Sequence, residues 1–220
     1  MRRRTDDEIR HDILSELTWD TRTWDQMINV EVDRGVVTLE GTVSSYAQKT
    51  AAENAAHKVA GVLDVVNELF IKRRRPHTDA DIARAVRHAL KGTYIIPHEQ
   101  IATTVTDGWV KLEGKVNSLT ERSDAEWSVE NVVGVAGVVN ELTVEPSTTN
   151  AETLRKSIET ALEQRADREA ERLRIDVNDG EVTLFGRVHS WPERRAVVGS
   201  ISHAPGIKKI NDNLQIDPYF

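Results

Sequence analysis

The chain has 220 residues, of which 39% are hydrophobic and 30% charged, with a formal net charge of −7 and no cysteine. That composition excludes a disordered chain, disulfides, thiolate metal sites and a cysteine nucleophile, and the negative charge argues against long-range attraction of the whole molecule to nucleic acid or to an anionic membrane. No apolar run approaches the ~20 residues that a membrane-spanning helix needs. Nor does an apolar stretch follow Arg2 to Arg4 as it would in a signal peptide. The expected location is therefore the cytoplasm, or the periplasm if a leader has been removed.

In chain order, the first element predicted is an amphipathic helix. Thr5 and Glu8 have capping-box spacing, and Ile9, Ile13 and Leu17 form an i, i+4, i+8 stripe. Two alternating runs follow, with Ile28, Val30 and Val32 in the first and Val37, Leu39 and Val43 in the second. Arg34-Gly35 between them is the expected hairpin turn, although Arg34 suits the left-handed first position poorly, so this turn is expected to differ from its counterparts. Ser45 is placed to cap a second helix with Ala52, Ala55, Ala56 and Val59 on its inner face, and the run VVNELFI reads as a third strand.

After the polar stretch KRRRPH (residues 72–77) the same order begins again. Thr78 with Asp81 opens a helix bearing Ile82, Val86 and Leu90, and Asp107-Gly108 is the hairpin turn. Ser118 precedes a helix with Ala125, Val129 and Val132, and VVNELTV closes the copy. After EPSTTN (residues 145–150), Asn150 is placed to cap a helix with Leu154, Ile158 and Leu162, and the turn is Asp179-Gly180. Ser190 precedes a helix with Pro192 in its first turn and Pro205 at its end, then INDNLQI closes the third copy.

Nine glycines fix the register of this repeat. Gly35, Gly108 and Gly180 are separated by steps of 73 and 72 residues, as are Gly41, Gly114 and Gly186, and Gly61, Gly134 and Gly206. The expected fold class is α+β: three tandem two-layer sandwiches, each αββαβ, with two helices on one face of a three-stranded mixed sheet. Expected domains are residues 1–72, 78–146 and 150–218. Charge is uneven: residues 76–146 carry 6 basic and 11 acidic groups, while the segments before and after are each at net −1.

The strand–turn–strand pattern VTLEG, VKLEG and VTLFG, followed by a helix and by G-V-x-x-V-x-N-x-L, resembles the BON (bacterial OsmY and nodulation) domain. The third copy departs from it, with Asp212 where Asn67 and Asn140 stand and Pro205 where Ala60 stands. The resemblance implies a non-enzymatic domain of envelope and stress-response proteins that associates with phospholipid or membrane surfaces. Three weak contacts joined by short linkers would then act through avidity. A chaperone-like adaptor binding other proteins and a small-ion sensor are the alternatives, the sensor using Glu31, Asp33, Glu40, Asp107, Glu113, Asp176 and Asp179.

The sequence contains no nucleophile elbow, P-loop, dinucleotide fingerprint or zinc-protease motif, so no catalytic residue, cofactor or metal site is expected. The seven histidines lack i+3 or i+4 partners and are expected at the surface or its boundary. Candidate binding residues are the aromatics outside the repeated core, Trp109, Trp127, Phe185 and Trp191, and the cations Lys72, Arg73, Arg74 and Arg75. Trp127 stands out as the best candidate for an exposed contact, because its counterpart in the first copy is Asn54; for Trp109, Phe185 and Trp191, packing between copies is the reading put first and an exposed anchor the alternative.

Overall fold

The computed structural model describes residues 4–23, 27–72, 77–145, 173–204 and 206–219. The described chain forms two compact units. One holds Met1–His77, Val188–Glu193 and Ile216–Phe220; the other holds Thr78–Arg187 and Arg194–Gln215.

In the first repeat, α1 (Asp6–Trp19) leads into β1 (Met27–Asp33), β2 (Val36–Val43), α2 (Tyr46–His57) and β3 (Asp64–Ile71). The Thr5 hydroxyl accepts from the Glu8 amide while the Glu8 carboxylate accepts from Thr5, so both halves of the capping box are present. β1 and β2 are antiparallel, and β3 returns parallel to β2, which puts β2 in the centre of a mixed sheet. Ile9, Ile13 and Leu17 from α1 and Ala52, Ala55 and Ala56 from α2 share one buried cluster with Val30, Val37, Leu39, Val43 and Leu69. Both helices therefore lie on the same face of the sheet, and the other face is open to solvent.

The second repeat reproduces this with α3 (Asp79–Gly92), β4 (Ile101–Thr106), β5 (Trp109–Val116), α4 (Leu119–Glu130) and β6 (Gly137–Val144), again ordered β4-β5-β6. The third shows β7 (Arg174–Asn178), β8 (Glu181–Val188), α5 (Trp191–Ser202) and β9 (Lys209–Ile216). The helix expected after Asn150, with Leu154, Ile158 and Leu162, lies outside the described residues, as does Pro205. Ser45, Ser118 and Ser190 each accept from the amide three residues on, at 3.3, 3.1 and 3.4 Å.

The hairpin turns correct one expectation. Arg34 at φ 50° adopts the same left-handed conformation as Asp107 at 52° and Asp179 at 43°, so the first turn does not differ. A carboxylate from α1 secures it: Asp6 accepts from the amides of Arg34 and Gly35 at 2.9 and 3.0 Å. Asp79 does the same for Asp107 and Gly108, at 2.9 Å each. The turn is braced by the helix start and tolerates a side chain that does not itself favour it. In the third repeat the corresponding position is Ala151.

The closing strand carries a second repeated contact. Asn67 donates to the Lys49 carbonyl and the Glu53 carboxylate at 3.1 and 3.0 Å, and its own oxygen accepts from Leu69. Asn140 makes the same set with Arg122, Glu126 and Leu142. This Asn pins the last strand to the second helix. In the third repeat Val198 replaces the glutamate, which leaves an amide no carboxylate to meet, and Asp212 instead takes the Arg194 guanidinium at 2.8 Å. The departure at Asp212 exchanges one structural pin for another.

Candidate binding surfaces

Alternation along the strands decides what the open sheet faces present. In repeat 1 the rungs run Met27–Thr42–Phe70, Asn29–Glu40–Glu68, Glu31–Thr38–Val66 and Asp33–Val36–Asp64. The rung farthest from the hairpin turn is apolar and well exposed, Met27 at 86% and Phe70 at 67%. Lys72 follows two residues after Phe70 and is exposed, while its amide donates to the Val43 carbonyl at 2.7 Å. Arg73, Arg74 and Arg75 continue the chain but lie outside the described residues. The remaining rungs are largely acidic.

Repeat 2 has the same register and a different surface. The Trp109 ring lies over Gly137, so close that a Cβ there would meet it at 2.4 Å. Trp109 thus occupies the open face near the turn, half-exposed. Lys111 bridges Glu113 and Glu141 at 2.9 and 2.8 Å, and these contacts, Glu141 first, raise its pKa. At the far end, where repeat 1 has its apolar rung, Lys115 pairs with Glu145 at 2.7 Å and Thr143 replaces Phe70.

The helix layer of repeat 2 carries a second patch. Trp127 on α4 is 66% exposed, as expected from the lack of a core counterpart. Tyr94 and Ile95, in the loop after α3, are also exposed. Thr93 meets Ser128 at 3.4 Å, which brings that loop beside the turn of α4 that bears Trp127. Burial, and then the neighbouring Glu126, raises the Glu130 pKa from the usual 4.5. None of Met27, Phe70, Tyr94 or Ile95 stood out in the sequence, because single outward apolar residues are common on any protein surface.

Trp191 is not an exposed anchor. Within its compact unit it packs against the buried cluster, stacked on His57 with ring centroids 4.0 Å apart, and its Nε1 donates to the Leu63 carbonyl at 3.2 Å. His57 itself is 8% exposed, contrary to the expectation that every histidine sits at the surface or its boundary. Phe185 remains exposed on β8, with the Arg174 guanidinium 5.8 Å from its ring centre.

A cleft of about 350 Å³ lies over the start of α1, lined by Arg4, Asp6, Arg34, Leu63 and Tyr219 among others. Its charges are spoken for: Arg4 bonds Asp12 and the Ala60 carbonyl, Arg34 meets Asp33, and Asp6 holds the hairpin turn. Among the described residues no group of three His, Cys, Asp or Glu side chains is arranged to hold a metal ion, and no helix is long and apolar enough to cross a membrane.

Comparison with known proteins bears on all three repeats. The family profile described as BON domain matches residues 5–73, 78–146 and 150–218. Osmotically-inducible protein Y of Escherichia coli (strain K12) is 32% identical over 121 residues, which cover 52% of this chain and 60% of that protein. The match thus spans less than two thirds of that relative's length. Two solved structures of CdsD, a structural protein of the type III secretion system of Chlamydia trachomatis, align at 14% and 15% identity. They cover 94% and 96% of this chain and 96% and 92% of their own, each with a TM-score of 0.27, too low to bear on the fold.

Proposed function

The chain belongs to the BON domain family, and on that premise we propose that it is a non-enzymatic binding protein of the osmotic stress response that associates peripherally with phospholipid surfaces. The observation that carries this reading is the far end of the repeat 1 sheet. There Met27 and Phe70 stand exposed in one rung, directly before the run Lys72 to Arg75. Apolar side chains that enter the interface, next to cations that meet lipid phosphates, are the composition of a peripheral membrane contact. Each cation close to an anionic surface contributes about 1 kcal/mol. The acidic rungs beyond Glu40 and Glu68 would be repelled, so contact is made end-on and not across the whole face.

The link to osmotic stress rests on the similarity to osmotically-inducible protein Y of Escherichia coli. The three repeats do not contribute equally, because their corresponding sheet ends differ in sequence. Repeat 2 carries Lys115–Glu145 and Thr143 at the corresponding end, and repeat 3 carries Arg187, Gln215 and Asp217.

Flotation with vesicles of mixed phosphatidylglycerol and phosphatidylethanolamine tests the reading. The native chain is expected to float at low salt and to be released as salt screens the cations. Phe70→Glu, or replacement of Lys72 to Arg75 by glutamine, should abolish flotation while leaving the circular dichroism spectrum and melting temperature unchanged. A native chain that stays with the unbound fraction at low salt would falsify the lipid reading.

A further inference from the structure

The helix-layer patch of repeat 2 has chemistry opposite to that of the repeat 1 sheet end. Trp127 is flanked on α4 by Asp124 three residues before it and Glu130 three residues after, positions that share its face of the helix. Among the described residues neither carboxylate is hydrogen-bonded or ion-paired to a cation. The basic residue of α4, Arg122, is turned inward and donates to the Asn140 carbonyl at 2.9 Å. Tyr94 and Ile95 extend the exposed apolar surface past the Thr93–Ser128 contact. This repeat is also the acidic one, with 6 basic and 11 acidic groups between residues 76 and 146.

An exposed indole between two uncompensated carboxylates is matched by a guanidinium. Its plane can lie on the ring as a cation–π contact while its N–H groups reach a carboxylate. An anionic bilayer does not match it, because Asp124 and Glu130 would approach lipid phosphates of the same sign. From this complementarity we infer that the Trp127 face docks an arginine-bearing amphipathic segment of a partner protein. Arginine stacks on Trp127 between Asp124 and Glu130, and the apolar side of the segment covers Tyr94 and Ile95. The two surfaces would let one chain hold a membrane with repeat 1 and a protein with repeat 2, and neither assignment depends on the other.

The probe is a fluorescein-labelled amphipathic peptide with arginines along one face and leucines along the other, titrated against the full chain and followed by anisotropy. Trp127→Ala is expected to weaken binding about tenfold, and Asp124→Asn with Glu130→Gln to do so by a similar factor. Glu31→Gln with Glu68→Gln removes the same charge from repeat 1 and should leave affinity within about twofold, since neither residue belongs to the Trp127 face. A lysine version of the peptide should bind less tightly than the arginine one. Equal weakening by both charge-removal pairs would mean that net charge alone attracts the peptide, and would overturn the inference. So would unchanged affinity in Trp127→Ala, loss of vesicle flotation in that variant, or a chain dimer that Trp127→Ala dissociates. Because Trp127 is solvent-exposed, Trp127→Ala is expected to keep the native melting temperature.

Discussion

At the end of the sheet away from the hairpin turn, repeat 1 presents Met27, Thr42, Phe70 and Lys72, whereas repeat 2 presents Gln100, Lys115, Thr143 and Glu145 at the same positions. On the inner face the two sheets are nearly interchangeable: Val37, Leu39, Val43 and Leu69 correspond to Val110, Leu112, Val116 and Leu142, all buried. Close packing constrains the inner face to residues of the right size and polarity, so it repeats. Solvent leaves the far end of the outer face freer to vary, and there the two copies differ as an apolar, cation-flanked end and an ion-paired one. What is shared between the copies supports the fold, and what differs is the surface that each copy presents.

That comparison can be broken where the copies are held to be equivalent. The largest effect is expected at Gly41 and Gly114. A Cβ at Gly41 would lie 2.1 Å from the Met27 carbonyl oxygen, and one at Gly114 would lie 2.0 Å from that of Gln100, at φ +127° and +134°. Backbone cannot yield as a side chain tip can. Either glycine→Ala substitution should therefore cost about 3 kcal/mol or more by chemical denaturation, and by similar amounts in both repeats. A large loss in one and none in the other would show that the shared register does not mean a shared energetic role.

Next in size is Asn140→Asp, which sets a second carboxylate against Glu126 where the native amide donates at 2.9 Å. It should cost about 2 kcal/mol. Adding Glu126→Val, the residue repeat 3 carries as Val198, should recover part of that loss, because Arg122 corresponds to the Arg194 that holds Asp212. Smaller again, Asp6→Ala and Asp79→Ala each remove an acceptor for two turn amides and should each cost about 1–2 kcal/mol. Hydrogen exchange at Arg34 and Gly35, or at Asp107 and Gly108, should rise in the matching variant only.

The smallest effect separates the copies. Glu130 has its pKa raised by burial and by Glu126, so its ionised form opposes folding, and its contribution to stability is complete below the usual 4.5 and lost as pH rises through the elevated value. Glu130→Gln should therefore raise stability at pH 7 by no more than about 0.5 kcal/mol, since solvent screens a half-exposed charge. The gain should vanish in thermal melts below pH 4. The corresponding residue in repeat 1 is His57, so the gain has no counterpart there.

Much of the fold was legible in the chain. All nine repeated glycines have positive φ, the helical stripes at Ile9, Ile13 and Leu17 and at Ile82, Val86 and Leu90 are buried, and the three serines cap where their spacing placed them. These features are local, and a local period or turn suffices to fix them. The features that were missed are set by contacts between residues distant in sequence. Arg34 keeps a left-handed turn because Asp6, 28 residues earlier, binds its amide, and Trp191 packs on His57 and Leu63, more than a hundred residues away. Trp127 could be found because it breaks the repeat at a surface position. Met27 and Phe70 also break it, but an outward apolar residue in a strand carries meaning only once the register shows which residues share its rung.

The central claim is that lipid contact belongs to one sheet end and not to the domain as such, and an exchange between repeats tests it most directly. In one chain Met27→Gln, Thr42→Lys, Phe70→Thr, Lys72→Glu, Arg73→Pro, Arg74→Ser and Arg75→Thr give repeat 1 the residues of repeat 2; a second chain adds Gln100→Met, Lys115→Thr, Thr143→Phe, Glu145→Lys, Pro146→Arg, Ser147→Arg and Thr148→Arg to repeat 2. With anionic vesicles at low salt, the first chain should stay unbound and the second should float again. Flotation by the first chain, or its failure to return in a folded second chain, would contradict the account.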